Sequence, residues 1–112
     1  MKSISTHVLD ISRGRPASDV PVTLEKKDGA GYVVVNSGRT DADGRVKGLV
    51  AEGNLTEGTY RITFDTGAYF TALQVEAFYP EASIVFVIRD AAAHYHVPLL
   101  LSAYGYSTYR GS

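Results

Sequence analysis

Three histidines and one arginine are the side chains of this 112-residue chain best suited to acid–base and anion chemistry. His94 and His96 lie two positions apart in "HYHVPLLLSAY", and His7 lies near the start, in "STHVLD". A neutral imidazole can take a proton from water near neutral pH. Arg45, directly after the turn "DADG", can orient an anion or stabilise an oxyanion. Together these residues predict hydrolysis of a carbonyl that is already reactive, rather than of an unactivated peptide.

The same side chains leave other interpretations open. Three imidazoles, two of them as H-x-H, can bind zinc and leave a fourth position for water, but the sequence identifies no carboxylate to orient such ligands. A Ser-His-Asp triad would lack its G-x-S-x-G elbow. The chain has no cysteine, which excludes a thiol nucleophile, a thiolate ligand and a disulfide. The "DADG" segment starts like a calcium loop but lacks the closing glutamate, so we predict a simple turn there.

Length and charge limit the number of domains and the partners that the chain can have. The length suits a single domain over residues 1–112. The formal net charge of -1 predicts no binding to nucleic acid, and no apolar run approaches the roughly 20 residues that span a membrane. The first ten residues lack the apolar segment of a secretory signal. We therefore expect a cytoplasmic location, or a periplasmic one if a signal peptide was removed.

Short extended segments between glycine turns must position these residues. Apolar and polar residues alternate in residues 20–25 and again in residues 60–65, which is the pattern of half-buried strands. About seven or eight such strands, with turns roughly every 8–12 residues, predict an all-β sandwich. Residues 69–80 break the pattern with helix-forming residues. We predict one short helix there, capped by Thr71 and stopped by Pro80.

The last strand has two different faces. Because side chains alternate along a strand, one face carries His94, His96, Leu100, Ser102 and Tyr104. The other face carries Tyr95, Val97, Leu99, Leu101 and Ala103, and we predict that it belongs to the core. Pro98 has no N–H group, which predicts an edge strand or a local irregularity. On the strand alone, two exposed surface histidines are as good an interpretation as a site.

Three segments resemble the motifs of the 5-hydroxyisourate hydrolase family, transthyretin-like enzymes of urate breakdown. They are "STHVLD", "RTDADGRV" and "HYHVPLLLSAYGYSTYRGS", and the resemblance covers the whole chain. It implies a transthyretin-like sandwich of two four-stranded sheets with one short helix. It also implies a homotetramer, a dimer of dimers with active sites in a central channel. The implied reaction is the hydrolysis of 5-hydroxyisourate, a cyclic amide, to 2-oxo-4-hydroxy-4-carboxy-5-ureidoimidazoline, without metal or cofactor.

The resemblance also implies the site residues. The implied catalytic group is His7, Arg45 and His96. One of the two histidines activates water, and Arg45 holds the substrate anion. The implied substrate-binding residues include those of the terminal "YRGS", which is expected to fold back into the pocket: His7, Arg45, His94, Tyr109, Arg110, Gly111 and Ser112.

Two other functions are compatible with such a sandwich. Transthyretin itself carries a hormone in the same channel, and a fold does not fix a function. A secreted interaction domain is a further alternative. Neither a carrier nor an interaction domain needs two or three channel histidines, an arginine and a "YRGS" tail. The polar residues therefore favour the enzyme over a small-molecule carrier.

Overall fold

The computed structural model describes residues 3–46, 48–50 and 55–111, and this part of the chain forms nine strands and one helix. In chain order they are β1 (Ser3–Asp10), β2 (Arg15–Pro16), β3 (Pro21–Asp28), β4 (Gly31–Arg39), β5 (Arg45–Val46), β6 (Gly58–Phe64), α1 (Thr66–Ala72), β7 (Ala82–Ile88), β8 (His94–Ser102) and β9 (Gly105–Thr108).

The strands form two sheets, which confirms the predicted all-β sandwich with one short helix. One sheet is antiparallel, in the order β4-β3-β6-β7. The other has the order β2-β1-β8-β9, with β5 also paired to β1. This second sheet has five strands rather than the expected four. The reason is that β2 and β5 are two-residue strands that pair with successive parts of β1.

The core lies between the sheets and follows the alternation of the sequence. In β1 the residues with even numbers are buried and those with odd numbers are partly exposed. The apolar face predicted for the last strand is buried as expected, with Leu99 fully inaccessible to solvent and Val97 and Leu101 nearly so. Each such side chain contributes roughly 1.5–3 kcal/mol by leaving water. Since one face of β1 and β8 is fixed in the core, their other faces are held in a defined orientation.

The predicted helix position is wrong. The helix runs from Thr66 to Ala72, so it begins three residues before the predicted segment 69–80 and overlaps it only at residues 69–72. Asp65 caps it by accepting a hydrogen bond from the Ala68 backbone N–H at 3.0 Å. Gln74 has a positive φ of 58°, which ends the helix well before Pro80. Within the described residues, no helix is long and apolar enough to cross a membrane.

The prediction of an edge position for the last strand is also wrong. β8 is an inner strand, parallel to β1 on one side and antiparallel to β9 on the other. Pro98 is tolerated because its carbonyl, which accepts from the Thr108 hydroxyl at 2.7 Å, points towards β9. Because the N and C=O groups of one strand residue point to the same side, the Pro98 nitrogen also points towards β9. Pro98 is next to Leu99, whose partner Thr108 is the last paired residue of β9. The missing N–H falls where the ladder is interrupted.

Candidate active site

The histidines lie on the outer face of the five-stranded sheet, at its centre. β1 and β8 are parallel and in a register that puts Ser3 opposite His94 and Ser5 opposite His96. His7 is two residues beyond Ser5 on the same face of β1, since the residues between them are buried. All three imidazoles are partly exposed. The parallel pairing of the two ends of the chain is therefore what brings the three histidines together.

The "DADG" turn places Arg45 beside His7. As predicted, the segment is a turn: the Asp41 carboxylate accepts from the backbone N–H groups of Asp43 and Arg45 at 2.9 and 3.0 Å. Gly44 has a positive φ of 76°, and a Cβ there would lie 2.4 Å from the Val8 carbonyl oxygen. This close approach lets β5 pair with β1 so that Arg45 is the direct neighbour of His7.

Two serines connect the pair of histidines in β8. The Ser3 hydroxyl lies 2.7 Å from His94 Nδ1. The Ser5 hydroxyl lies 3.1 Å from His94 Nε2 and 2.7 Å from His96 Nδ1. The two rings are nearly parallel, with centroids 6.5 Å apart and an interplanar angle of 16°. A serine hydroxyl thus contacts each ring nitrogen of His94, whereas in His96 a serine hydroxyl contacts Nδ1.

His96 is the histidine whose protonation the surroundings change. Burial lowers the pKa of His96 below its ordinary value of 6.5, and the charges of Arg45, His94 and His7 lower it further. Two of these three neighbours, Arg45 and His7, belong to other strands, β5 and β1, so the pairing of β1 with β5 and β8 brings the charges to His96. At neutral pH, His96 is a neutral imidazole with a lone pair.

The tail folds back onto this group through Gly111. The Gly111 backbone N–H donates to the His96 carbonyl at 2.8 Å, in the antiparallel register set by Leu99 and Thr108 of the β8–β9 pair. A Cβ on Gly111 would lie only 2.5 Å from His96 Cδ2. A glycine is therefore required for the backbone to approach the imidazole this closely.

Tyr109 and Arg110 have other contacts. The Arg110 guanidinium stacks over the Tyr95 ring at 4.4 Å from its centroid, on the core-facing side of β8. Tyr109 and Arg110 line an open cleft of about 340 Å³ between the edges of β7 and β9, with Val97 among its apolar walls. The substrate-binding role of Tyr109 and Arg110 stays a prediction. Ser112 lies outside the described residues.

The arrangement is suited to hydrolysis. A neutral imidazole and an exposed guanidinium on one open face can activate water and hold an anion. In the described part of the chain, no group of three or more His, Asp or Glu residues is arranged to bind a metal ion. The sequence did not single out Ser3 and Ser5, which contact the histidines. The sequence signal that places them on the face of His7 is their spacing, since Ser3, Ser5 and His7 are two residues apart along β1.

Comparisons with known proteins agree with this fold. The family model described as "HIUase/Transthyretin family" matches residues 4–111. The 5-hydroxyisourate hydrolase of Salmonella dublin is 50% identical over 109 residues, which cover 97% of this chain and 80% of that protein.

Two solved structures resemble the fold along nearly all of the chain. That of Klebsiella pneumoniae 5-hydroxyisourate hydrolase has a TM-score of 0.89 at 39% identity and covers 100% of both chains. That of sea bream transthyretin in complex with thyroxine has a TM-score of 0.92 at 33% identity and covers 96% of this chain and 93% of the other. The fold alone therefore does not separate an enzyme from a carrier.

Proposed function

Since this chain belongs to the HIUase/Transthyretin family, we propose that it hydrolyses 5-hydroxyisourate, the substrate named for its relatives from Salmonella dublin and Klebsiella pneumoniae. The observation that carries this proposal is the polar group on the outer face of the five-stranded sheet. It consists of three partly exposed imidazoles, joined by Arg45 on β5 and contacted by the tail at Gly111. A hydrolase of a reactive cyclic amide needs such a group.

The mechanism follows from the protonation of the group. His96, neutral because its pKa is lowered, takes a proton from water at Nε2 as the water oxygen attacks the ring carbonyl carbon. The oxygen of that carbonyl gains negative charge, which the Arg45 guanidinium stabilises along with the substrate anion. The ring C–N bond then breaks, and His96 returns the proton from Nε2 to the leaving nitrogen. His7, the direct neighbour of Arg45 in the β1–β5 pair, orients the arginine and the substrate.

The polar group also argues against a carrier. The sea bream transthyretin fold is shared at a TM-score of 0.92, so the sandwich itself is compatible with ligand transport. Tight reversible binding does not require an imidazole with a lowered pKa beside a guanidinium. Turnover of substrate in excess over protein is the property that separates the two functions.

Assembly into a homotetramer, a dimer of dimers, belongs to the same proposal. β7 and β9 are edge strands of their sheets, and β7 exposes Val85 and Val87, which are 56% and 45% accessible. Unpaired apolar edges favour pairing with another chain. Two-fold contacts along these edges would bring apolar surface out of water and leave the histidine face to line a channel between dimers. Light scattering that gives four times the protomer mass of 12.1 kDa would support this assembly.

Three substitutions test the assigned residues. His7→Asn, Arg45→Gln and His96→Asn should each lower the turnover of 5-hydroxyisourate by about 10²-fold or more, the usual effect of losing an acid–base or oxyanion group. Circular dichroism and oligomer size should not change, since all three side chains are at least partly exposed. Arg89→Gln removes an exposed arginine beyond the end of β7 and serves as the charge-matched control. Parent-like turnover in all three variants would refute the assignment.

A further inference from the structure

The serine–histidine contacts restrict how protons can be arranged on the sheet face. A neutral imidazole has one N–H donor and one lone-pair nitrogen, and a serine hydroxyl has one proton to donate. His94 uses both ring nitrogens, with Nδ1 2.7 Å from the Ser3 hydroxyl and Nε2 3.1 Å from the Ser5 hydroxyl. The Ser5 hydroxyl also lies 2.7 Å from His96 Nδ1. With both rings neutral, all three contacts are satisfied only when every proton points in the same direction along the chain.

The two directions give His96 opposite chemical character. When Ser3 donates to His94 and Ser5 donates to His96, the His96 Nδ1 is the acceptor and Nε2 carries the proton. In the reverse direction, His96 Nδ1–H donates to Ser5, Ser5 donates to His94 Nε2, and His94 Nδ1–H donates to Ser3. His96 Nε2 is then unprotonated and can act as a base. The tautomer of His96 is therefore linked to Ser5 through hydrogen bonds rather than set by solvent.

We propose that Ser5 is a positioning residue that sets the tautomer of His96, and that Ser3, His94, Ser5 and His96 form a proton relay. This inference rests on the hydrolysis proposed above. After His96 Nε2 takes a proton from water, the Nδ1 proton moves to Ser5 as the Ser5 proton moves to His94 Nε2. The positive charge then resides on His94, and His96 is neutral with Nε2–H. When that proton passes to the leaving nitrogen, the relay reverses, and the number of protons is conserved.

The fold holds this relay in place from both sides. Ser3 and Ser5 alternate with buried residues of β1, and His94 and His96 alternate with buried residues of β8. The parallel register fixes each serine opposite its histidine. Sharing one hydroxyl between two rings also accounts for their nearly parallel stacking at 6.5 Å. None of these positions depends on a loop, so the spacing of the relay is as rigid as the sheet.

The direct test observes the tautomer and needs no turnover. Nitrogen NMR of the histidine-labelled protein, at a pH where His96 is neutral, distinguishes its Nδ1–H from its Nε2–H form, which coordinates without hydrogens do not show. We expect the two nitrogen signals of His96 to change in Ser5→Ala, because its Nδ1 loses its hydroxyl partner. Ser5→Thr keeps the hydroxyl and should retain the parent spectrum. Identical His96 signals in the parent protein and in Ser5→Ala would overturn the proposal, whether or not the protein hydrolyses 5-hydroxyisourate.

The kinetic test asks whether the relay contributes to the reaction. Ser5→Ala should lower kcat by about 10- to 100-fold, as when an imidazole loses the partner that orients it. KM should stay nearly unchanged, because the proposal has Ser5 act through His96 and not on the substrate. Ser5→Thr should restore kcat. Ser83→Ala, which removes a hydroxyl-to-hydroxyl bond to Thr63 in the other sheet, is the matched control. Parent-like kcat in Ser5→Ala would overturn the relay, whereas an inactive parent would refute the hydrolysis instead.

Discussion

Replacing Gly111 with alanine would push a methyl group into the ring of His96. The new Cβ would lie 2.5 Å from His96 Cδ2 and 3.2 Å from Cγ. Carbon atoms in contact settle at about 3.5 Å, so the ring or the tail must move by roughly 1 Å. A displacement of about 1 Å at a catalytic group can cost about 10²-fold in rate. We therefore predict that kcat of Gly111→Ala for 5-hydroxyisourate falls by about 10²-fold.

The stability of the variant separates this effect from unfolding. If the tail moves, the protein loses the Gly111–His96 backbone bond of 2.8 Å, at a net cost of about 0.5–1.5 kcal/mol. Urea denaturation should therefore show a small decrease in the free energy of unfolding. Gly105→Ala is the matched control, since its nearest contact would be the Ser102 hydroxyl at 3.9 Å. Full activity of Gly111→Ala, with the His96 ring unmoved in a crystal structure, would show that the close contact between Gly111 and His96 does not matter for turnover.

Three further predictions concern stability, pH and the tail. Tyr69→Phe removes a hydroxyl that donates to the buried Asp10 carboxylate at 2.7 Å. The free energy of unfolding measured in urea should fall by about 1.5–3 kcal/mol with turnover unchanged. Because His96 acts as a neutral base with a lowered pKa, turnover should decline as the pH falls below 6.5; a pH–rate profile with its acid limb above that value would contradict this. Deleting residues 109–112 should leave the circular dichroism spectrum intact while turnover collapses, and a fully active truncated protein would show that the tail has no role.

The two faces of β1 and β8 were predictable from the sequence because burial alternates with a period of two. The position of the helix was not. Asp65 and Gly67 precede the helix-forming residues, and glycine is a poor helix former. The structure requires a glycine at residue 67, where a Cβ would lie 2.7 Å from the Pro80 carbonyl oxygen. That constraint comes from a residue 13 positions away and has no local sequence signal.

The site was predictable as a set of residue types but not as a network. The pairing of Ser5 with His96 depends on a parallel register between strands 91 residues apart, which no local pattern encodes. Likewise, Pro98 suggested an edge strand because it has no N–H group. The interruption of β9 that accommodates Pro98 in an inner strand depends on the path of the tail, which could not be predicted from the sequence. The position of Arg110 over Tyr95 also follows from that path.

Multiple turnover of 5-hydroxyisourate is the measurement that decides whether the protein is a hydrolase. Freshly generated substrate, in large excess over protein treated with a chelator, is followed by its ultraviolet absorbance with and without the protein. We predict that the protein accelerates the loss of substrate through many turnovers, and that His96→Asn at the same concentration does not. A decay rate equal to that without protein, or consumption limited to one equivalent per site, would rule out the proposed hydrolysis and favour a carrier. Loss of activity on chelation that zinc restores would contradict the metal-free mechanism.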